Sequence, residues 1–312
     1  MALNSMVIFC DINNLNVSLP TASGVVQASR DVSLTIGKGE AHCIAGESGC
    51  GKTIVALAIM RLLPKNAITR GKIIFNGTNL FHLSEKEMRD IRGNHIAMVF
   101  EQPQSCFNPV YTVGDQLSEA VRIHERCSSS AAREKAITLM TQVNIPDPRK
   151  RYDQYPHEYS GGMVQRAMIA MAMALKPALL IADEPTTALD VTTRSHVVSL
   201  IKTFVAEFNT ALLLITHDLG LAFQLCENIS IMYAGRIVES GQIEDIQKMP
   251  QHPYTQALMH AFSNDASAPI GGMAPELTKL PTGCPFHPRC KNRMRICHEV
   301  EPQVKNGVRC HL

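Results

Sequence analysis

Short apolar runs alternate with helix-like patterns along most of the chain. The run AHCIAG leads into a glycine-rich stretch and then into an apolar helix-like segment, all within residues 30–60. Further strands are predicted at Lys72–Phe75, Ile96–Phe100, Ala178–Ala182, Ala211–Ile215 and Ile229–Tyr233. Strands that alternate with helices are typical of an α/β fold built on a parallel sheet.

Two regions depart from this alternation. Between about residues 105 and 175 the pattern is almost wholly helical, which predicts a helical subdomain inserted into the α/β core. Over residues 263–283 the Pro, Gly, Ser and Ala content rises and the periodicity fades, as in a linker. The predicted division is therefore a core domain over residues 1–262, a linker over 263–283 and a small cysteine-bearing module over 284–312.

Serine side chains mark two predicted helix starts. Ser84 and Glu87 have the spacing of a capping box before a short helix. Ser130 is predicted to cap a helix from Ala131 to about Val143.

The composition is that of an ordinary globular protein. The chain has 312 residues, of which 45% are hydrophobic and 19% charged, with a net charge of +2. These values argue against disorder and against nucleic acid as the main partner. No apolar run reaches the ~20 residues that span a bilayer, and the N-terminal residues lack the basic flank of a secretory signal. We therefore expect the protein to stay in the cytosol.

A phosphate-binding loop is predicted between the first parallel strand and the helix after it. The segment GESGCGKT fits the pattern Gly-x-x-x-x-Gly-Lys-[Ser/Thr]. Its backbone N–H groups would surround the β-phosphate of ATP, Lys52 would bridge the β- and γ-phosphates, and Thr53 would bind Mg²⁺. The predicted ATP-binding residues here are Gly46, Glu47, Ser48, Gly49, Cys50, Gly51, Lys52 and Thr53.

Two later strands end in residues suited to hydrolysis. The run ALLIADEP ends in Asp183, predicted to hold Mg²⁺, and Glu184, predicted to act as general base on the attacking water. The run ALLLITHD ends near His217, which would contact the γ-phosphate and orient that water. The segment YSGGMVQR places Ser160, Gly161 and Gly162 at a helix start, where they are either a plain cap or a second anion site.

Together with the TALD loop at Thr187–Asp190, these motifs resemble the ABC ATPase family over about residues 6–260. The resemblance implies a P-loop NTPase core and a head-to-tail dimer. Ser160 and Gly162 of one subunit would close over ATP held by Lys52 of the other, and Asp190 would link the two sites.

Three further segments resemble segments of one subfamily, the ATPases of oligopeptide, dipeptide and nickel importers. They are SCFNPVYTVG (105–114), HPYTQAL (252–258) and GCPFHPRC (283–290). The resemblance implies a second homologous ATPase subunit in a heterodimer, two transmembrane permease subunits and, indirectly, an external substrate-binding protein. The chain would lie peripherally on the cytoplasmic face of the inner membrane. Peptides are the favoured cargo and nickel is the alternative.

Two readings of other classes stay open. One is a soluble ABC ATPase that acts on nucleic acid or ribosomes, although this chain lacks the second ATPase domain or long insertion common there. The other is a redox-responsive regulatory subunit, against which the intact Glu184 and His217 argue.

The sequence departs from the family pattern at two positions. The family usually has Phe-Gln-(Glu/Asp)-Pro before the helical subdomain, whereas here Glu101 and Gln102 are inverted. Either Glu101 or Gln102 would sense Mg²⁺, and we favour Glu101. Leu19 stands where the family usually stacks adenine on an aromatic ring, which predicts weaker stacking.

Four of the ten cysteines crowd into the last residues of the chain. Cys284, Cys290, Cys297 and Cys310 are separated by five, six and twelve residues. Four thiolates suit an iron–sulfur cluster or zinc, and zinc sites usually pair cysteines more closely. We therefore predict a 4Fe–4S cluster, with Zn²⁺ or free thiols as alternatives. His287, His298 and His311 could replace a cysteine as ligand.

Overall fold

The structure of the chain is a computed structural model, and it describes residues 8–187, 189–263 and 270–312. Ala188 of the TALD loop and residues 264–269 of the predicted linker lie outside the described residues. The chain divides into two compact units, one formed by Met1–His82 with Leu214–Leu312 and the other by Leu83–Leu213. The predicted division into residues 1–262, 263–283 and 284–312 stays a prediction, and residues 284–312 lie in the first unit.

The strands are β1 (Ile8–Thr21), β2 (Gly24–Gly37), β3 (Ala41–Ala45), β4 (Ile68–Phe75), β5 (Thr78–Asn79), β6 (Ile96–Val99), β7 (Leu179–Asp183), β8 (Ala211–Thr216), β9 (Asn228–Tyr233) and β10 (Arg236–Gln242). The helices are α1 (Lys52–Ile59), α2 (Glu85–Ile91), α3 (Val113–Glu125), α4 (Ser129–Gln142), α5 (Pro148–Tyr152), α6 (Gly161–Met173), α7 (Val191–Phe208), α8 (Leu219–Leu225), α9 (Ile243–Lys248), α10 (Pro253–Phe262) and α11 (Ile296–Glu299). None of the helices in the described part of the chain is long and apolar enough to cross a membrane.

The first unit contains an antiparallel sheet that begins with a long hairpin. Its strand order is β2-β1-β4-β5, and β1 pairs with β2 along most of its length. In β1 the side chains of Cys10 and Ile12 are buried, and so are those of Leu15 and Val17 after an irregularity in the pairing between Ile12 and Leu15, while the residues between them are more exposed. A period of two is expected for a sheet with one face against the core.

The first unit also holds the strand that leads to the phosphate loop. All five residues of β3 are buried, and β3 runs parallel to β9, with Ala45 opposite Ile231. β10 folds back antiparallel onto β9. A strand buried on both faces has a continuous apolar sequence, which explains why β3 could be predicted from the run AHCIAG.

The last residues of the chain pair with β10. Val308 forms an antiparallel bridge with Glu239, the Ser240 N–H donates to the Gly307 carbonyl over 2.9 Å, and the Arg309 N–H donates to the Val238 carbonyl over 2.8 Å. The C-terminal residues thus follow the side of β10 that β9 leaves free.

An ion-pair network fixes the same C-terminal segment. Glu301 accepts hydrogen bonds from Arg30 over 2.9 Å and from Arg236 over 2.8 Å. Arg309, whose side chain is 6% exposed, donates to Asp31 over 2.9 Å. Partly buried arginines with several carboxylate partners are screened less by solvent than an isolated surface pair. The C-terminal segment is therefore attached to the β1–β2 hairpin as well as to β10.

The second unit combines two parallel strands with a helical region. β6 pairs with β7, with Ile96 opposite Leu179. Helices α3, α4, α5 and α6 follow between β6 and β7 and pack on one another. Tyr152 of α5 lies against α3, because a Cβ added at Gly114 would lie 2.2 Å from its ring and its hydroxyl lies 2.8 Å from the Ser118 Oγ.

Most of the predicted elements are confirmed. The predicted strands correspond to β3, β4, β6, β7, β8 and β9, with ends that differ by a few residues. The capping box is present at the start of α2, where Ser84 accepts the Glu87 N–H and Glu87 accepts the Ser84 N–H. The predicted cap at Ser130 is wrong, since Ser128 caps α4 and accepts the Ala131 N–H over 3.2 Å.

Candidate functional site

The phosphate loop joins β3 to α1 and folds around its own lysine. Lys52, the first residue of α1, is only 6% exposed. Its Nζ donates to the Gly46 carbonyl over 2.8 Å and to the Glu47 carbonyl over 3.0 Å. Both acceptors are neutral, so a phosphate group at the loop would offer the ammonium a stronger, negatively charged acceptor. Thr53 follows on the same helix.

Two of the loop's glycines lie against backbone that leaves no room for a side chain. A Cβ at Gly46 would lie 2.2 Å from the Met232 carbonyl oxygen, and one at Gly51 would lie 2.0 Å from that of Ala28. Gly51 also has φ +107, a conformation that residues with side chains rarely adopt. The loop thus needs glycine at these positions for its conformation.

The two acidic residues at the end of β7 lie in different surroundings. Asp183 ends the strand and is 2% exposed. Glu184 has φ +46, an uncommon value for a residue with a side chain, and its Oε2 lies 3.4 Å from the Thr187 Oγ1. Non-glycine residues in this conformation cluster at functional sites, because the surrounding structure must hold them there. The role of Glu184 as general base stays a prediction.

The segment with Ser160, Gly161 and Gly162 starts α6. Ser160 caps the helix by accepting the Met163 N–H over 3.3 Å. Gly162 lies against Thr193 of α7, since an added Cβ would be 2.7 Å from the Thr193 Cγ2. The plain cap is therefore present, and the predicted nucleotide contact from a second subunit stays a prediction.

Asp190 lies beside this helix start. It caps α7, with one oxygen accepting the Thr193 N–H over 3.0 Å and the other the Thr193 hydroxyl over 2.7 Å. These bonds, the backbone one first, lower the pKa of Asp190. Thr193 thus contacts both Gly162 and Asp190, and sequence reasoning had not singled it out.

A second link within this unit joins α6 to the segment after Glu184. The Gln165 side chain, 2% exposed, donates to the Pro185 carbonyl over 2.7 Å. Gln165 had not been predicted as a site residue either. Its place near the start of an apolar helix was the available signal, because a buried amide in such a helix needs a hydrogen-bond partner.

The remaining predicted site residues are more exposed. Glu101 and Gln102 are both exposed just after the end of β6. His217 is exposed directly after β8, and Leu19 is partly exposed near the end of β1, opposite Val26. Their roles toward the nucleotide stay predictions.

The C-terminal residues contact the phosphate loop at Glu47, which had not been foreseen. The Glu47 N–H donates to the Tyr254 hydroxyl over 3.0 Å. Arg289 donates two hydrogen bonds to the Glu47 carboxylate, over 2.8 and 2.9 Å. Both partners lie in segments noted for their subfamily resemblance, HPYTQAL and GCPFHPRC.

Cys284, Cys290, Cys297 and Cys310 line a single cavity of about 10 Å³. Burial raises the pKa of Cys284 to about 11, and it also raises the pKa of Cys290. These two groups are therefore neutral thiols at physiological pH in the absence of a metal.

The cysteine cavity supplies the donor type that an iron–sulfur cluster needs, but it is not open enough to hold one. Within the described residues no group of three or more His, Cys, Asp or Glu side chains is arranged to hold a metal ion. A cavity of about 10 Å³ has room for roughly one water molecule. The four thiols share a cavity, and they would have to move apart to bind a cluster.

Two sequence models of known families match the chain. The model of the ABC transporter family matches residues 29–187, and the model of the C-terminal region of oligopeptide/dipeptide transporters matches residues 238–297. The chain therefore belongs to the ABC transporter family. The predicted P-loop α/β fold class and the subfamily resemblance are both confirmed.

Similar proteins and structures agree with this assignment. The dipeptide transport ATP-binding protein DppD of Bacillus subtilis (strain 168) is 47% identical, over 93% of this chain and 89% of its own length. The oligopeptide transport ATP-binding protein OppD of Salmonella typhimurium (strain LT2) is 42% identical, over 95% and 90%. The dimeric post-hydrolysis structure of the ATP-binding cassette MJ0796, bound to ADP and Pi, has a TM-score of 0.68 at 25% identity and covers 75% of this chain and 99% of that one. Neither of these two relatives is named for nickel, so the nickel alternative gains no support from them.

Proposed function

We propose that this chain hydrolyses ATP to drive the import of dipeptides or oligopeptides through a separate permease. The observation that carries the proposal is the pair of family matches, because the ATP-binding region and the peptide-transporter C-terminal region occur in one chain. ATP and Mg²⁺ are the ligands expected for an ATPase of this family.

Each predicted site residue has a role that its chemistry supports. Lys52 would neutralise charge on the β- and γ-phosphates, while Thr53 and Asp183 would bind Mg²⁺. Glu184 would accept a proton from the attacking water, and His217 would orient that water. Glu101 or Gln102 would complete the Mg²⁺ surroundings.

The proposal extends to the assembly in which the chain acts. A second homologous ATPase subunit would supply its own copies of Ser160, Gly161 and Gly162 to the nucleotide, with Asp190 between the two sites. Two transmembrane permease subunits and an external substrate-binding protein would complete an importer, and this chain would lie on the cytoplasmic face of the membrane. The dimer formed by the similar cassette MJ0796 supports the proposed contact with a second ATPase subunit.

The catalytic proposal is tested with Glu184→Gln, which keeps the size of the side chain and removes its basic carboxylate. ATP hydrolysis by the assembled importer should fall by about 100-fold or more, because general-base catalysis contributes roughly 10²–10⁴-fold. Binding of ATP should persist. Glu207→Gln, on the exposed side of α7, is the matched control and should hydrolyse ATP at the normal rate. Undiminished hydrolysis by Glu184→Gln would refute the assigned base.

The cargo is tested by uptake in cells that lack this chain. Uptake of labelled di- and oligopeptides should be lost and should return when the chain is restored, whereas uptake of ⁶³Ni²⁺ should not change. Loss of nickel uptake with normal peptide uptake would replace peptide by nickel as the cargo.

We also propose that Cys284, Cys290, Cys297 and Cys310 bind a 4Fe–4S cluster, which would supply either a structural brace or a redox-active centre. The support is that four thiols line one cavity, and four cysteine thiolates are the usual ligands of such a cluster. A single zinc ion would draw its sulfurs to ~2.3 Å from one centre, whereas each cysteine of a cluster binds a different iron.

The cluster is tested on protein purified without oxygen. Iron and acid-labile sulfide near four per chain, with broad absorption in the visible blue, are expected. Cys290→Ser should lower both, while Cys127→Ser, a cysteine outside the cavity, should leave both unchanged. A colourless protein, with stoichiometric zinc or with no metal, would exclude the cluster.

A further inference from the structure

Glu47, the second residue of the phosphate loop, is held by its side chain. Its carboxylate accepts two hydrogen bonds from Arg289, with Nη1–Oε2 at 2.8 Å and Nη2–Oε1 at 2.9 Å. The Arg289 side chain is 5% exposed and that of Glu47 is 27% exposed. Two-point contacts between arginine and a carboxylate fix both direction and distance, and they are stronger than neutral hydrogen bonds.

Every N–H donor of the Arg289 guanidinium has a partner. Besides the two bonds to Glu47, Nη1 lies 3.3 Å from the Tyr233 hydroxyl, Nη2 lies 3.2 Å from the Ile270 carbonyl oxygen and Nε lies 2.9 Å from that of Gly271. A guanidinium has five N–H donors, so the side chain is saturated. Arg289 thus joins the phosphate loop to the end of β9 and to the segment before the cysteines.

The backbone of Glu47 is held as well. Its N–H donates to the hydroxyl of Tyr254, a residue that is 0% exposed. The Tyr254 ring packs against Tyr233, with centroids 4.6 Å apart, and against Phe286 at 5.4 Å. The Glu47 N–H is therefore bonded to a tyrosine whose ring is itself fixed by packing.

The turn that carries Arg289 lies between two of the cysteines. The His287 N–H donates to the Cys284 carbonyl, the Arg289 N–H to that of Phe286 and the Cys290 N–H to that of His287, over 3.0, 3.0 and 3.3 Å. These successive bonds make a compact turn. Any change that opens the turn would move Arg289 away from Glu47.

We propose that Arg289 and Tyr254 are positioning residues for the phosphate loop, through which the folded state of the cysteine-bearing segment sets the affinity for ATP. This inference rests on the proposed function, since it assumes that the loop binds ATP. The physical reason is preorganisation, because a loop held in its binding conformation loses less conformational entropy when phosphate binds.

The direct test compares ATP binding by Arg289→Gln and by Arg295→Gln in the full-length protein. Arg295 lies in the same segment, with its side chain 94% exposed and 3.5 Å from Glu299, so it is a matched control. Titration with Mg²⁺ and a fluorescent ATP analogue should give a Kd about tenfold higher for Arg289→Gln, as expected for a charge-assisted hydrogen-bonded pair. Arg295→Gln should bind as the unchanged protein does.

Kinetics separate positioning from general damage. KM for ATP should rise in Arg289→Gln while kcat falls by less, because the hydrolytic residues are unchanged. Arg289→Lys keeps the charge but cannot make the two-point contact. Its KM for ATP should lie between that of the unchanged protein and that of Arg289→Gln. A lower kcat with an unchanged KM for ATP would overturn the proposal.

A double-mutant cycle tests whether Arg289 acts through Glu47. Glu47→Gln should weaken ATP binding on its own, and adding Arg289→Gln should weaken it little further. If Arg289→Gln weakens binding as much in the Glu47→Gln background as alone, Arg289 does not act through Glu47 and the proposal fails.

Tyr254→Phe serves where Arg289→Gln does not fold, since it removes only the hydroxyl and keeps the packed ring. It should raise the Kd for ATP while thermal unfolding shows a folded protein, and a folded variant with unchanged Kd would overturn the role of Tyr254. A different outcome would refute the proposed function, namely that the unchanged protein binds no ATP at all. Normal binding by the unchanged protein, by Arg289→Gln and by Tyr254→Phe would refute only the present inference.

Discussion

His252 should make the stability of the first unit depend on pH between about pH 4 and pH 6.5. The residue is 1% exposed and caps α10, where its Nδ1 accepts the Tyr254 N–H over 3.0 Å. Burial lowers the pKa of His252 from 6.5 to about 4. An acceptor role requires an unprotonated Nδ1, which is consistent with a neutral ring.

The sign and size of this pH dependence follow from the number of protons bound by the folded and the unfolded chain. Well above pH 6.5 the ring is neutral in the folded and the unfolded chain, and it contributes no pH dependence. Between the two pKa values the unfolded chain binds a proton that the folded chain does not, so the free energy of unfolding falls as the pH is lowered. At about 1.36 kcal/mol for each pH unit between the two values, a pKa of about 4 corresponds to a loss of roughly 3 kcal/mol by pH 4.

The assay is urea unfolding followed by circular dichroism at several pH values, on the unchanged protein and on His252→Asn. Asparagine can cap α10 in the same way but does not titrate. The difference in unfolding free energy between the two proteins should shift by roughly 3 kcal/mol from about pH 7 to about pH 4. His260→Asn, at an exposed position on the same helix, should leave the pH dependence unchanged. A difference that stays constant over this pH range would refute the reasoning.

Two pairs of glycine substitutions test the candidate site. Gly51→Ala should abolish detectable ATP binding, since its Cβ would lie 2.0 Å from a backbone oxygen. In Gly49→Ala the added Cβ meets nothing within 4 Å among the described residues, so this variant should bind ATP more weakly than the unchanged protein but still measurably. Equal ATP affinities of Gly51→Ala and Gly49→Ala in an equilibrium titration would contradict this. Gly162→Ala should lower unfolding stability by about 1–3 kcal/mol through overpacking, because its Cβ would lie 2.7 Å from a threonine methyl group. Gly161→Ala has no such neighbour in the described part of the chain and should not be less stable, so a fall in ATPase activity for this variant would point to a contact with a second subunit.

Elements with local signals could be predicted from the sequence. β7 and β8 are continuous apolar runs because both faces of each strand are buried. The phosphate loop was predictable because its glycines and lysine follow a strand at fixed spacing. The capping box of Ser84 and Glu87 was predictable because both bonds form within three residues.

Other features depend on partners that are distant in sequence. The hairpin of β1 and β2 was missed, since its strands contain polar residues and its register shifts in several places. The start of α4 was misplaced because Ser128, Ser129 and Ser130 have equivalent side chains. Which of them caps the helix follows from its buried side, which includes Ala132 and Ala136.

The contact between Glu47 and Arg289 had no local signal at all. The two residues are 242 positions apart, and each is charged and unremarkable in its own segment. The cysteine cavity differs, because the crowding of its four cysteines near the end of the chain already grouped them in the sequence. The pairing of the segment beside Cys310 with β10, however, had no such signal. Contacts of this kind follow only from the complete fold.

The segment that pairs with β10 also protects a strand edge. Without residues 307–309, the backbone groups of Val238 and Ser240 would lose the partners they have there. An uncovered strand edge is a template on which another chain can add, so a protein shortened before these residues should tend to self-associate. Point substitutions of the cysteines, rather than deletion of the C-terminus, are therefore the appropriate way to test the proposed cluster, because a shortened chain would report aggregation as loss of function.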